Sequence, residues 1–516
     1  MRRLRADAYA VGVAVLLAAG AVVRILAAYP VHKTPGDADS LLTGMCALHV
    51  LRGHFPAFLA VGRQGAAECY MAAGAFKVFG VSRASLFGEA LLIGTLGMVA
   101  AFLFFRELLD RRAAIIALVF IALPSPAILL ITYMPVGHST TFLLMSLIFF
   151  LGARVARVGP KPWLLFCWGL AAGLGVWHTF LTLGATVPTA LWMLLHDRRV
   201  AKLVSIASAA GGVVVGALPW IGYNVIHPLR FFKESVAFGG RPHGAQIFEN
   251  ANYALTRDIV GLLVPRSPTA AAPIVVARFG VYAIYAGAVV YALVNLVRRS
   301  GPSVRTILSV CALGVLSIVT AAVILVPTAL GSQRGWTVRY MLPVWFVAIP
   351  LLAIFVADVG RRVPVVAALM AACVVLVAVT GYEWPGTGAR AFRTDALRAD
   401  AQLVRQLERG DANVAVGTYW STYPLNFLTR EKIRAVPCDP RADYLGYGES
   451  LPNPSRWVLV YGSSATQRDW INGFVRRFKL RGTFERAPPV YTVFLASTPL
   501  SGEQSRQFLD RAQAAC

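Results

Sequence analysis

Residues 34–80, TPGDADSLLTGMCALHVLRGHFPAFLAVGRQGAAECYMAAGAFKVFG, lie between the first two long apolar runs of the chain. No part of this stretch is long and apolar enough to cross a bilayer. Two pieces, about 39–52 and 64–79, carry apolar residues at helical spacing. Helices of this kind lie flat on a membrane surface, so the sequence predicts a first outer loop with two interfacial helices.

The composition is that of a polytopic membrane protein. Of 516 residues, 57% are hydrophobic and only 14% are charged, whereas soluble domains carry about a quarter charged residues. A net charge of +24 is compatible with nucleic-acid binding. The basic residues, however, stand in short clusters between apolar runs, which is the pattern that orients membrane spans. We therefore expect a lipid bilayer and no nucleic acid as partner.

Apolar runs predict about eleven transmembrane helices, and the short loops on one side of them are rich in arginine and lysine. This places the N-terminus in the cytoplasm and, after an odd number of spans, the C-terminus outside the plasma membrane. We expect the third run to break at Pro124 and Pro126, and Arg24 to extend its guanidinium to the surface. The runs begin near residues 8, 84, 113, 139, 163, 180, 203, 275, 306, 340 and 363.

The composition changes after about residue 382. A helix-like stretch, RTDALRADAQLVRQLER, precedes three runs typical of short buried strands, NVAVGTYW, RWVLVYG and YTVFLAS. The sequence predicts a mainly α protein with two domains. A transmembrane domain covers 1–382 and includes the first outer loop over 30–83, and a small extracytoplasmic α/β domain covers 383–516.

Four of the seven cysteines fall on the predicted outer side: Cys46, Cys69, Cys438 and Cys516. An oxidising compartment would allow a Cys46–Cys69 and a Cys438–Cys516 disulfide, and the sequence leaves both pairings open. The remaining cysteines lie in apolar runs, where we expect them to be plain core residues.

The predicted outer loop carries a D-x-D pair, Asp37 and Asp39. Such acids are usually just solvated, but apolar cover at a membrane surface would partly desolvate a carboxylate and make it a better proton acceptor. We therefore expect Asp39 to act as a general base on an acceptor hydroxyl, with Asp37 as a second candidate. Binding of a divalent cation by the same oxygens is the less favoured alternative.

Two further side chains are candidates for a position beside the acceptor or a metal ion. Glu68 lies in the second predicted interfacial helix, where a surface ion pair with Arg63 is an equal alternative. His138 stands in the segment YMPVGH after the third run. A single histidine is more often an ordinary polar residue than a ligand.

Three cationic or polar side chains at the predicted outer boundary are candidates for binding a lipid-linked phosphate. Arg339 and Arg278 stand at the mouths of the tenth and eighth spans, and His54 lies in the first outer loop. Arginine binds phosphate in a bidentate manner, although interfacial anchoring explains such arginines equally well. The sequence contains no P-loop for a soluble nucleotide.

Four segments, in this order, resemble the GT-C superfamily of polytopic glycosyltransferases, in the branch of protein O-mannosyltransferases and the lipid A aminoarabinose transferase. They are DSLLTGMCALHVLRGHFPAFLAVGRQGAAECYMAAGAFKVFGVS from Asp39, GLGVWHTFLTLGATVPTALWMLL, RYMLPVWFVAIPLL from Arg339, and YWSTYPLNFLTREKIRAVP from Tyr419. The resemblance implies that the first-loop acid, Asp39, is the base in an inverting transfer of sugar from a polyprenyl phosphate. Two departures are Ser40, where many members carry glutamate, and RQGAAE in place of a QPPL-type stretch.

The sequence thus predicts a membrane glycosyltransferase with a polyprenyl-phosphate sugar donor and a glycan, lipid or protein acceptor. Some members of the family bind a divalent metal ion near the donor phosphate, and the need for one stays open here. The alternative from another class is a polytopic transporter or flippase of lipid-linked or small-molecule substrates. A transporter predicts polar residues deep in several spans, and the sequence holds few there.

Overall fold

The computed structural model of the protein describes residues 2–31, 38–60, 64–228, 230–231, 249, 272–298, 304–325, 341–381, 402–439, 443–453, 455–462, 475–476, 481–487, 491–496 and 499–515. The chain forms two compact units. The helical unit comprises Met1–Ala28, Val61–Gly65 and Phe87–Glu383, and the mixed unit comprises Tyr29–Ala60, Ala66–Leu86 and Trp384–Cys516. Most of the predicted first outer loop therefore belongs to the same unit as the C-terminal segment, whereas the sequence predicts it as part of the transmembrane domain.

The elements before residue 180 are α1 (Arg2–Val31), α2 (Ala38–Leu51), β1 (Phe58–Ala60), β2 (Gln64–Gly65), α3 (Ala67–Phe79), α4 (Arg83–Leu108), α5 (Arg111–Ala122), α6 (Pro126–Ile131), α7 (His138–Val158) and α8 (Pro162–His178). Seven helices follow: α9 (Leu183–His196), α10 (Leu203–Gly216), α11 (Leu218–Ile226), α12 (Ala272–Arg298), α13 (Val304–Leu325), α14 (Leu342–Arg362) and α15 (Pro364–Gly381). The C-terminal segment contains β3 (Val414–Gly417), α16 (Tyr419–Thr429), β4 (Arg434–Pro437), β5 (Trp457–Gly462), β6 (Gly482–Ala487), β7 (Tyr491–Ala496) and α17 (Gly502–Ala515).

The helices are those of a multi-pass membrane protein. Within the described ranges, five helices are long and apolar enough to cross a membrane: Ala8–Ala28, Arg83–Leu108, His138–Val158, Val275–Arg298 and Leu342–Arg362. The pair α10 and α11, bent by 66°, makes a sixth candidate if it is one broken span. Each of the other predicted apolar runs also coincides with one or two helices, so the total of eleven spans stays a prediction.

The predicted break in the third run is confirmed. Helix α5 begins after Asp110, whose carboxylate accepts hydrogen bonds from the backbone N–H groups of Arg112 and Ala113, both at 2.9 Å. It ends two residues before Pro124, and α6 starts at Pro126. Proline lacks the N–H that a continuing helix needs but is well tolerated in a first turn, which explains both boundaries.

Arg24 is fully buried, so the expected extension of its side chain to the surface is wrong. Its Nη2 donates to the carbonyl of Ile121 at 2.9 Å, and its Nη1 to the carbonyls of Gly20 at 3.0 Å and Ala122 at 3.3 Å. Its Nε donates to the Thr132 hydroxyl at 3.0 Å. The last carbonyls of a helix have no partner within it. Arg24 therefore caps the C-terminus of α5, where a cation is also favoured by the helix dipole.

An aromatic cluster joins α4, α7 and α14 in the helical unit. Phe346 is fully buried, and its ring lies 5.1 Å from that of Phe149, 5.4 Å from Phe104 and 5.7 Å from Phe105. Offset aromatic pairs at these distances stabilise the fold by more than the burial of their apolar surface alone.

Helices α8 and α10 approach closely through small residues. Gly169 and Gly173 of α8 and Gly212 and Gly216 of α10 have the GxxxG spacing, and a Cβ at any of them would clash with the backbone of the partner helix. Close backbone approach through such spacing is common between membrane helices.

The mixed unit contains a five-stranded sheet in the order β4-β3-β5-β7-β6. Strands β4, β3 and β5 are parallel, and β7 pairs antiparallel with both β5 and β6. Helix α16 forms the crossover from β3 to β4. The buried Asn426 amide fixes this crossover, because it donates to the Ala435 carbonyl at 2.7 Å and accepts from the Ala435 N–H at 2.8 Å. The predicted α/β character is confirmed, with β4 and β6 added to the three predicted strands.

Both predicted helices of the first outer loop are present, as α2 and α3, although residues 64 and 65 form strand β2. A disulfide between Cys46 and Cys69 joins them. Ten of the 14 residues of α2 are buried, because α3 and α16 both pack against it. It is therefore not the one-sided amphipathic helix that the sequence predicts. Cys438 is also disulfide-bonded, and Cys516 lies outside the described residues.

Candidate functional site

The Asp39 carboxylate is held by a residue from the other end of the chain. The Tyr419 hydroxyl, 380 positions away in sequence, donates to Asp39 Oδ1 at 2.5 Å. Asp39 is partly exposed in the first turn of α2, where the helix dipole favours a negative charge. Among the contacts of the described residues, the other oxygen, Oδ2, has no hydrogen-bond partner. It is therefore the oxygen on which a proton can be received.

Tyr419 is fixed by neighbouring tyrosines. Its ring lies edge-on to Tyr423 at 5.2 Å and to Tyr444 at 6.2 Å. Tyr423 is fully buried, and its hydroxyl accepts from the Tyr444 N–H at 3.0 Å. Burial and then the Asp39 charge raise the pKa of Tyr419. The phenol therefore stays protonated and remains a donor to the carboxylate.

A second contact between α2 and the C-terminal segment lies in the turn after α16, two residues beyond its end. The Glu431 carboxylate accepts from His49 Nε2 at 2.6 Å, from the Tyr447 hydroxyl at 2.8 Å and from Arg52. The Glu431 side chain is only 8% exposed. We refer to these four side chains as the Glu431 cluster. The His49 Nε2 must carry the proton in this arrangement, because a carboxylate can only accept.

The backbone conformation of the turn aims Glu431 at α2. Arg430 and Glu431 both have positive φ angles, 50° and 63°, in a region that side chains rarely adopt. The Glu431 N–H closes the turn by donating to the Asn426 carbonyl at 2.9 Å. Such a conformation costs free energy, which the hydrogen bonds of the Glu431 cluster offset.

The mixed unit also holds the predicted candidates Glu68 and His54. Glu68 is fully buried in the first turn of α3, so it is not an acid on the helix surface, and its ion pair with Arg63 stays a prediction. Arg63 itself lies outside the described residues. His54 is exposed after α2, and its ring lies 6.0 Å from that of His49.

The remaining predicted candidates lie elsewhere. Arg278 is partly exposed near the start of α12, and His138 is the first residue of α7, both in the helical unit. Next to His138, the carbonyl of Gly137 contacts Nε2 of the fully buried His178 at 2.7 Å. Asp37 and Arg339 lie outside the described residues. No group of three or more His, Cys, Asp or Glu side chains suited to a metal ion occurs in the described part of the chain.

Sequence reasoning did not identify Tyr419, His49, Arg52, Glu431 or Tyr447 as members of this site. The available signal was the segment YWSTYPLNFLTREKIRAVP, which carries the family resemblance and contains both Tyr419 and Glu431. At the end of α2, His49 and Arg52, one residue beyond the helix, have a three-residue spacing that would place them on one face of a helix.

The fold is similar to those of two GT-C glycosyltransferases, ArnT and an archaeal oligosaccharyltransferase. The crystal structure of ArnT, the lipid A aminoarabinose transferase, from Cupriavidus metallidurans bound to undecaprenyl phosphate matches with a TM-score of 0.61 and 12% identity. The match covers 93% of this chain and 97% of ArnT. The apo structure of the same ArnT matches with a TM-score of 0.57, 12% identity and coverages of 94% and 98%.

The Archaeoglobus fulgidus oligosaccharyltransferase tethered with an acceptor peptide gives a TM-score of 0.50 at 12% identity, over 97% of this chain and 77% of that one. No protein-family profile matches the chain, and no similar sequence is found among curated proteins. The predicted resemblance to the GT-C superfamily is therefore confirmed at the level of the fold.

Proposed function

We propose that the protein is a membrane glycosyltransferase that moves a sugar from a polyprenyl-phosphate donor to an acceptor hydroxyl on the outer face of the plasma membrane. The observation that carries the proposal is the Asp39 carboxylate, which one hydrogen bond from Tyr419 holds at Oδ1 in a chain with the ArnT fold. That ArnT structure is bound to undecaprenyl phosphate, which makes a polyprenyl phosphate the donor class to test first.

In the proposed reaction, Asp39 Oδ2 takes the proton of the acceptor hydroxyl. The hydroxyl oxygen attacks the anomeric carbon of the donor sugar at the same time. The bond between that carbon and the phosphate oxygen breaks, and the polyprenyl phosphate leaves with inversion at the sugar. Asp39 then returns its proton to water. Neutralisation of the leaving phosphate lowers the barrier, and Arg339, Arg278 and His54 are the proposed cations or donors for it.

Asp37 is a second candidate for the base, and Glu68 and His138 are candidates for a position beside the acceptor or a divalent metal ion. No reaction step above depends on a metal ion. The acceptor, whether a glycan, a lipid or a protein, would approach from the aqueous side.

The proposed orientation places the N-terminus in the cytoplasm and the C-terminal domain outside, with eleven spans between them. Clustered arginines between alternate helices support it. The Cys46–Cys69 disulfide supports it independently, because structural disulfides persist in oxidising compartments. The proposed domains are a catalytic transmembrane domain over 1–382 and an extracytoplasmic domain over 383–516.

The test begins with mass spectrometry of lipids and glycans from cells with and without the gene, which identifies the sugar and its carrier. Transfer is then measured with the purified full-length protein and that donor. Asp39→Asn is expected to reduce the rate by at least about a hundredfold. The matched control is Asp411→Asn, since the Asp411 side chain is 85% exposed and its positive φ of 49° suits asparagine.

Two results would overturn the proposal. One is a rate for Asp39→Asn equal to that of the Asp411→Asn control. The other is movement of the labelled lipid-linked sugar across proteoliposome membranes without formation of any product, which would identify a transporter.

A further inference from the structure

We infer that Tyr419 is a positioning residue for Asp39, so that the C-terminal segment completes the active site of the proposed glycosyltransferase. This inference rests on the proposed role of Asp39 as the base. It assigns to the C-terminal segment a task in the reaction itself, beyond recognition of the acceptor.

The first argument is the geometry of the carboxylate. Tyr419 donates to Oδ1 alone, at 2.5 Å. A carboxylate on a partly exposed first turn has several rotamers in reach, and one short hydrogen bond selects among them. Because Oδ1 already accepts, the proton taken from an acceptor hydroxyl goes to Oδ2. Tyr419 therefore decides both the direction of the carboxylate and the oxygen that reacts.

The second argument is that Tyr419 is itself well fixed. The rings of Tyr423 and Tyr444 meet it edge-on, and burial raises the pKa of its hydroxyl. A hydroxyl that stays protonated, on a ring that two neighbouring rings hold in place, can keep a base aligned through the whole catalytic cycle.

The third argument is that α2 and α16 are joined at both ends. Asp39, in the first turn of α2, contacts the first residue of α16, while His49, in its last turn, contacts Glu431 just beyond the end of α16. The two helices therefore run parallel and side by side. A helix held at one end can pivot, whereas contacts at both ends fix the position of the Asp39 carboxylate relative to Tyr419.

The decisive variant is Tyr419→Phe in the full-length protein, which keeps the ring contacts and removes only the hydroxyl. The rate constant kcat is expected to fall by up to about a hundredfold because the base is no longer aligned, while KM for the donor changes little.

The matched control is Tyr423→Phe, which removes a hydroxyl from a buried tyrosine one turn further along the same helix. That hydroxyl accepts from the Tyr444 N–H. Any loss of rate in this variant is expected to follow its loss of folded protein. A second measurement needs no substrate: the melting temperatures of Asp39→Asn, Tyr419→Phe and the double variant should be non-additive if the two side chains interact.

The outcomes separate the two proposals. A rate for Asp39→Asn equal to that of Asp411→Asn overturns the proposed function. An Asp39→Asn rate reduced by at least about a hundredfold, together with a wild-type kcat in Tyr419→Phe, overturns the positioning role alone. The positioning role is also overturned if Tyr419→Phe matches Tyr423→Phe in every readout, or if the melting temperatures are strictly additive.

Discussion

Glu431 accepts a hydrogen bond from His49 at 2.6 Å across 382 positions of sequence. One partner is the third residue from the end of α2, and the other follows α16 in the C-terminal segment. The contact of His49, in the first outer loop, with Glu431 therefore cannot form before Glu431 has been made. Contacts with so large a sequence separation slow folding, since the chain must close a long loop to form them.

The Glu431 cluster is expected to stabilise the mixed unit. Glu431→Gln removes the charge that Arg52, His49 and Tyr447 share, and we expect a loss of about 1–3 kcal/mol in the free energy of unfolding. Thermal unfolding of the purified protein in detergent measures this loss of stability. The control is Glu449→Gln, since Glu449 is exposed. Equal melting temperatures for the two variants would contradict a stabilising role for the cluster.

His49 is expected to make stability depend on pH. Burial, then the charges of Arg52 and Arg434, lower the pKa of His49 from its ordinary value of 6.5. The Glu431 carboxylate by itself favours the protonated His49 ring, but Arg52 already pairs with that carboxylate. The unfolded chain then takes up a proton near pH 6.5 and the folded chain only at lower pH. The stability contributed by His49 is thus complete above pH 6.5 and is lost as the pH falls below it.

Melting temperatures between pH 7.5 and about pH 5 test this sign. The decline of the melting temperature toward acid should be weaker in His49→Gln than in the wild type. His54→Gln changes the neighbouring exposed histidine and should leave the decline unchanged. A steeper decline in His49→Gln would show that the folded protein favours the protonated ring.

Arg24 is expected to be essential for the end of α5. Arg24→Leu leaves the Ile121 and Ala122 carbonyls without their described donor, and each unsatisfied buried group costs about 1–3 kcal/mol. Arg24→Lys keeps the charge but not the planar fork, so its melting temperature should lie between those of wild type and Arg24→Leu. The exposed Arg112 supplies the control, Arg112→Leu. A melting temperature for Arg24→Leu as high as that of Arg112→Leu would refute the capping role.

Gly44 is expected to tolerate no side chain. A Cβ at this position would lie 2.7 Å from the Phe427 ring, so Gly44→Ala should separate α2 from α16 and cost about 1–3 kcal/mol. Gly74 lies in α3 of the same unit, and a Cβ there meets nothing within 4 Å. Gly74→Ala should therefore be neutral or slightly stabilising, because alanine favours helix. The idea fails if the two variants melt at the same temperature.

The Cys46–Cys69 disulfide closes a loop with a sequence separation of 23, which predicts a stabilisation of about 3 kcal/mol. Cys46→Ser and Cys69→Ser should each lower the melting temperature, and the double variant should melt no lower than the single ones. Addition of a reductant should lower the melting temperature of the wild type but not of the double variant. A wild-type protein insensitive to reduction under unfolding conditions would contradict the bond.

The sequence predicts those features that depend on near neighbours. Apolar runs place the helices, since a helix in lipid must satisfy its own backbone, and Pro124 and Pro126 end and start helices through their missing N–H. Alternating and β-branched residues place strands β3, β5 and β7. The acid at Asp39 is recognisable as a candidate base from its place after the first run and from the family resemblance.

The pairing of distant segments was not predictable from the sequence. Tyr419 and Glu431 resemble ordinary polar residues of a small soluble domain. Arg24 reads as an interfacial cation, and only the position of α5 shows that it caps a helix inside the helical unit.

The sequence by itself determined that this is a polytopic membrane protein, where its apolar helices lie, and which first-loop acid is the candidate base. Only the tertiary structure decided that α2 and α3 pack with the C-terminal sheet, and that Tyr419 and Glu431 hold the two ends of α2. The physical reason is that helix and strand periodicity is a property of residues a few positions apart. A hydrogen bond across 380 positions depends on the packing of whole elements, which no local pattern encodes.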